Sequence, residues 1–264
     1  MANSSAMEGA ARAGFVARGV IYLLVGLIAL QLAFSAGKSD QADRGGALQE
    51  IAGKPFGAFL LWALGLGLAG MALWRLSEAL LGAAGPDGHK TSKRAASAAR
   101  AVFYGFVAYS VLSFALGDTG SGSGSSDKQS KDVTAKALDL PGGQWIVATG
   151  AAVVAGAGVW MAVRAALRKY HKHLRTGQMS RSARRLVDGT GVPGGIARGA
   201  VFAAAGGFAL KAAWDFEPDK AKGMDDTLRA FTQTPAGPWL LAAVALGLAL
   251  FGAFSFAMAY WRRI

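Results

Sequence analysis

Three arginines carry the chemistry that most bears on function in this chain. Arg18, Arg100 and Arg198 are each followed four residues later by an aromatic: Tyr22, Tyr104 and Phe202. A guanidinium presents N–H donors in a rigid planar fork that matches phosphate or carboxylate oxygens. Three of them around one axis would bind an anion such as a phosphate or a lipid head group. The other reading is that each sits near one end of a membrane helix and extends its charge to the interface. Thirteen residues further on, Gln31, Ser113 and Lys211 hold equivalent positions. They form a second polar layer if they face the same axis, and plain interfacial polarity if they do not. Lys211 has Asp215 one turn away, within i,i+4 reach.

Other chemistry is sparse. Arg75 and Glu78 are spaced i,i+3 and can satisfy each other. Arg164 stands where the next repeat has the equivalent of Glu78, so a pair between repeats is also open. The run from Arg168 to Arg185 holds nine basic or His residues and suits anionic lipid or an acidic partner. With no Cys and only His89, His171 and His173, a metal site is not expected. There is no Gly-x-Ser-x-Gly elbow, phosphate loop, His-Glu-x-x-His or dinucleotide fingerprint. The expectation is therefore no enzyme, no metal and no cofactor.

These side chains must be positioned by membrane helices. Of the 264 residues, 53% are hydrophobic and 17% charged, with mean hydropathy +0.32. A soluble domain is about 25% charged. Crossing a bilayer takes roughly 20 apolar residues. Six segments meet or approach that length, at about 15–34, 56–81, 98–116, 145–167, 196–214 and 239–260. The third is the weakest. Leu32-Ala33-Phe34-Ser35-Ala36 resembles a signal cleavage site, but the first apolar run exceeds the usual 7–15 residues of such a signal, so the span is expected to be retained. Trp145, Trp214, Trp239, Tyr260 and Trp261 fall near predicted interfaces.

The net charge of +12 would point to nucleic acid in a soluble protein. Here the charges flank apolar spans, so nucleic acid is not the expected partner. One set of loops, with both termini, holds 18 of the 28 basic residues and four of the 16 acids. Positive loops stay cytoplasmic, which places both termini inside.

The chain repeats itself. Residues 14–79 shifted by 180 overlay 194–259 without a gap, with 19 identities in 66 positions. Arg18/Arg198, Pro55/Pro235 and Gly57/Gly237 are among them. The middle copy fits with a four-residue insertion, which the Gly120–Ser126 tract accommodates. It aligns Arg100 with Arg18, and Pro141-x-Gly143 with Pro55-x-Gly57. Each unit reads as an outward helix, a polar loop with a short helical stretch, and a return helix that Pro opens at its first turn. Two spans per unit give the copies one orientation, related by an axis along the membrane normal. The expected fold is all-α: six transmembrane helices as three parallel two-helix repeats with pseudo-threefold symmetry. The divisions are a tail at 1–11, repeats at 12–84, 96–167 and 192–264, and linkers at 85–95 and 168–191.

The three Arg-x-x-x-aromatic motifs and the three Pro-x-Gly turns resemble a bacterial family known only as a domain of unknown function, number twelve-oh-six, with three tandem pairs of transmembrane helices. That resemblance covers about Arg12–Arg263. It implies architecture and a bacterial inner membrane, and no activity, cofactor or catalytic residue. Two functions are compatible with it: a structural or accessory protein binding lipids or another membrane protein, and a small-solute, anion or lipid carrier with an axial cavity.

Overall fold

The computed structural model describes residues 5–34, 42–82, 90–117, 126–232 and 236–263. Six helices are long and apolar enough to cross a membrane: α1 (Ser5–Phe34), α3 (Gly57–Leu81), α4 (Thr91–Ala115), α6 (Gly143–Ala166), α7 (Arg181–Asp215) and α9 (Gly237–Trp261). Three shorter ones lie between them: α2 (Arg44–Ala52), α5 (Ser126–Leu138) and α8 (Met224–Thr232). No strand occurs among the described residues.

Two helices overrun the spans expected from hydropathy. The 30-residue α1 and the 35-residue α7 begin ten or more residues early. Their polar first turns are rich in Ala and Arg, which are good helix formers. At 1.5 Å per residue, α7 is about 52 Å long, well beyond a 30 Å hydrocarbon core. Ser180 caps it, its hydroxyl accepting the Ala183 N–H at 3.1 Å.

Packing follows one rule. The first long helix of each unit lies on the second long helix of the preceding unit: α4 on α3, α7 on α6, and α1 on α9. Within units, α1 packs on α3 and α7 on α9. In the middle unit α4 and α6 are not a packed pair. Close crossings rest on glycine. At the α6–α7 crossing, a Cβ on Gly199 would stand 2.6 Å from the Gly158 carbonyl oxygen. Bare backbones can therefore approach where no hydrophobic drive acts between helices. Leu66, Leu73, Val102, Phe106, Val153 and Leu246 remain exposed along the helices, a lipid-facing surface. Trp145, Trp214 and Trp239 are about three-quarters or more exposed at helix ends, as interfacial rings should be.

The Pro-x-Gly turns differ from expectation in one respect. Pro55 and Pro141 do not open the return helices; those start at Gly57 and Gly143, with Phe56 and Gly142 as left-handed N-caps (φ 63° and 71°). The Gly57 N–H bonds the Lys54 carbonyl at 2.9 Å and the Gly143 N–H bonds the Leu140 carbonyl at 2.8 Å. Pro thus sits second in a four-residue turn, where its fixed φ is favoured. The glycine serves close approach: a Cβ on Gly57, Gly143 or Gly237 would collide with the carbonyls of Ile51, Ala137 or Thr232, at the end of the preceding short helix. Pro235 lies outside the described residues.

Candidate functional site: a basic groove between the helices

A cavity of about 720 Å³ lies among α1, α4, α5, α6 and α7. Its walls are mostly apolar, and Arg18 and Arg198 both line it. The Arg18 Nε donates to the Ser255 hydroxyl at 3.0 Å, and its Nη1 lies 3.5 Å from the Tyr104 hydroxyl. The Arg198 Nε donates to the Tyr22 hydroxyl at 2.8 Å. Phe251 stands between them, its ring 5.2 Å from Arg18 Cζ and 4.9 Å from Arg198 Cζ. Neither arginine makes an ion pair with a described residue. The wall also includes Phe103, Phe106, Ile146 and Val154, which are each exposed. α4 and α6 do not pack on each other, and both contribute exposed apolar side chains to this wall. At its other end the cavity reaches Arg44 and Lys222.

Arg100 does not join the other two. It is exposed and does not line the cavity. The aromatic partners explain why. Each inward arginine reaches the tyrosine of the following unit: Arg18 reaches Tyr104, and Arg198 reaches Tyr22 across the ring closure. For Arg100 that position is Phe202, which has no hydroxyl to accept. Phe202→Tyr should supply the missing acceptor. A double-mutant cycle pairing it with Arg100→Gln is expected to show about 1 kcal/mol of coupling in thermal unfolding; zero coupling would refute the account.

The second layer does not converge. Ser113 is buried, whereas Gln31 and Lys211 are exposed, and none of the three lines the cavity. Asp215 pairs with Lys220 at 2.7 Å, on the loop that follows α7. Arg75 and Glu78 do pair, at 2.7 Å, with both side chains largely buried. Gly65-x-Gly67-x-x-Gly70 has the spacing of a dinucleotide fingerprint, but it lies inside α3, where a Cβ on Gly67 or Gly70 would crowd α1; no strand precedes it.

Both ends of the bundle hold side chains that the sequence reading passed over. At the basic end, Arg12 Nη1 donates to the Ala259 and Tyr260 carbonyls at 2.6 and 3.0 Å, closing the end of α9. Arg94, at the equivalent position of the next unit, closes α3 in the same way through Ala79 and Leu80 at 2.7 and 2.9 Å. A cation on the last carbonyls of a helix complements its dipole. The third unit has Val192 there. In the 168–185 run, Asp188 gathers Tyr170, His171 and Arg168. Leu174 bridges Arg262, tying the C-terminal segment to this loop. Lys169, Lys172, Arg181, Arg184 and Arg185 stay exposed.

At the opposite end the three short helices close in a cycle. Asp43, the N-cap of α2, accepts the Ser126 N–H at 2.6 Å. Asp127 accepts the Asp226 N–H at 3.1 Å, and Asp225 accepts the Ala42 N–H at 2.8 Å. Each carboxylate thus satisfies orphan donors at a neighbouring helix N-terminus. Oxygens of Asp127, Asp225 and Asp226 lie within 4.8 Å of one another, but protein donors already engage each of them. Burial pushes the Asp127 carboxyl up to about 6, with Asp226, Asp225 and Asp43 adding to it. Its folded value lies above the unfolded one, so the charged form is penalised above pH 6, and the penalty fades as pH falls toward 4. Unfolding temperature should rise from pH 8 to pH 5, by the equivalent of about 1–2 kcal/mol. Asp127→Asn should flatten that dependence; an unchanged slope would refute it.

Comparison with known proteins agrees with this architecture. The sequence profile of the Domain of Unknown Function family DUF1206 matches at residues 13–82, 95–168 and 194–262. Over 252 residues the chain is 33% identical to the uncharacterized protein YxxB of Bacillus subtilis (strain 168), covering 92% of this chain and 87% of that protein. No solved structure matches the chain. Three matched segments, each carrying two long apolar helices, show that this chain belongs to the DUF1206 family.

Proposed function

We propose that this protein is a non-enzymatic, lipid-binding protein of a bacterial inner membrane. Its groove takes an anionic amphiphile, with the head group against Arg18 and Arg198 and the chain directed toward the gap between α4 and α6. The observation that carries this is the groove itself: two guanidiniums without carboxylate partners among the described residues, at one end of an apolar cavity walled in part by exposed side chains of α4 and α6. Its 720 Å³ falls in the range of small-molecule sites, about 300–1,000 Å³. A lipid phosphate matches the guanidinium fork, and the acyl chain matches the walls.

The repeats are parallel and related by a pseudo-threefold axis. Three cyclic patterns support this: the helix packing order, the Arg-to-Tyr bonds at two of three positions, and the Asp clamp. Both termini face the cytoplasm, by the positive-inside rule. The exposed bases of the 168–185 loop add anionic head-group contact there, and the same surface is where a membrane-protein partner would dock. A carrier is the second reading, favoured by a groove that runs from Arg18 to Lys222 near the opposite end.

The direct test is binding of phosphatidylglycerol against phosphatidylcholine by the purified protein in neutral detergent. Preference for the anionic lipid is expected; equal binding refutes the reading. Orientation is checked by reporter fusions at Arg263 and Ser123, expected on opposite sides.

A further inference from the structure

The basic end of the bundle holds a second concentration of guanidinium groups, apart from the groove. Arg75 Cζ stands 4.1 Å from the Trp74 ring centroid, and Arg262 Cζ stands 4.9 Å from the same ring. Arg262 also lies 5.1 Å from the Phe15 ring, and Arg18 lies 4.8 Å from that ring. Phe15 and Trp74 are themselves 5.7 Å apart. Three cations are thus interleaved with two rings. Arg100 and Arg164 add positive field at this end.

Compensation is thin. Glu78 pairs with Arg75 at 2.7 Å and also accepts the Ser97 hydroxyl at 3.1 Å. Glu78 also acts on Arg262, against Arg75, Arg18 and Arg100. Arg262 makes no ion pair with a described residue, and its Nε is buried without a partner. Arg75 is 6% exposed, and its Nε likewise has no partner. A ring beneath a guanidinium contacts its face and offers no acceptor in its plane. The in-plane N–H groups of Arg262, and those of Arg75 other than the Nη1 that Glu78 takes, are therefore left for oxygen acceptors.

We infer that Arg75 and Arg262 form a second anion site, which holds a phosphate-class oxyanion supplied either by a lipid head group or by free phosphate. Neither residue lines the groove, so the two sites are separable by mutation. A tetrahedral oxyanion offers several oxygens for the donors that Glu78 leaves on the two guanidiniums. It would also neutralise positive charge that three guanidiniums concentrate around Trp74 and Phe15.

The test uses full-length protein, delipidated in neutral detergent, and reads the thermal unfolding midpoint. Inorganic phosphate is titrated against chloride at matched ionic strength. Short-chain phosphatidic acid is titrated against phosphatidylcholine in an Arg198→Gln background, which removes the groove's contribution. A midpoint that rises with phosphate, and at least about tenfold weaker binding in Arg262→Gln, supports the site with free phosphate as ligand. A rise seen only with phosphatidic acid, again lost in Arg262→Gln, supports it with a head group as ligand. No rise with either probe, or equal rises in wild type and Arg262→Gln, overturns it. Should Arg262→Gln fail to fold, Arg262→Lys keeps the charge but lacks the planar fork, and wild-type phosphate affinity in that variant overturns the site equally. Failure of the groove alone leaves this Arg262-dependent response intact, and the converse also holds.

Discussion

Arg198→Gln is expected to weaken anionic-lipid binding at least tenfold while leaving the unfolding temperature unchanged or slightly raised. The Arg198 guanidinium packs among the rings of Tyr22, Phe202 and Phe251, at 5.5, 5.2 and 4.9 Å. Among the described residues, it donates a hydrogen bond to the Tyr22 hydroxyl. A charge-assisted hydrogen bond contributes about 1.5–3 kcal/mol, which is tenfold or more in affinity. Removing a cation that has no carboxylate partner should not destabilise the apo protein, because breaking a buried pair is what carries the large penalty. Native mass spectrometry of bound phosphatidylglycerol, beside a melting curve, separates the two effects. A drop in binding that merely tracks a drop in stability would count against a direct contact. Arg198→Lys should retain part of the affinity, since it keeps charge without the fork.

Gly199→Ala should lower stability by about 3 kcal/mol, a large effect for one methyl group. The new Cβ would meet the Gly158 carbonyl oxygen at 2.6 Å and the Ala162 nitrogen at 2.7 Å, both backbone atoms with no rotamer to yield. Overpacking typically costs about 1–3 kcal/mol, and backbone-to-backbone clashes lie at the upper end. The position matters further because α6 has no packed contact with α4 and depends on α7. Gly156→Ala is the control. It sits on α6 with nothing within 4 Å of its Cβ, so the change should be neutral or slightly stabilising through helix propensity. Thermal unfolding in detergent decides; equal midpoints for the two variants would sink the argument.

Much of the architecture was legible in the chain. Each of the six spans and each of the three short helices has its counterpart, and even the weak α4 follows from the repeat. Hydropathy, however, registers only the apolar part of a helix. It therefore missed the helical overhangs of α1 and α7, which run on through polar residues. Pro55 and Pro141 precede their helices by two residues, because proline's fixed φ suits a tight turn as well as a helix's first turn. The arginine motif marked the right residues but not their directions. Arg100 shares the motif and faces out, because its acceptor would have come from Phe202 on another unit. Arg12 and Arg94 gave no signal of their own; an alignment of positions relative to Arg18 and Arg100 would have paired them.

By itself, then, the order of residues determined membrane class, the three-fold repetition, the charge asymmetry between the ends and the family. These depend on local composition and spacing, which act over one turn or one span. Only the tertiary structure decided that two arginines meet in a groove, that α4 and α6 do not pack on each other beside it, and that Arg75 and Arg262 share one indole. Those outcomes depend on side chains brought together from units 80 to 240 residues apart. Which of several equivalent arginines finds a hydroxyl, a ring or open lipid is set by its neighbour across the bundle, and no spacing within one repeat encodes it.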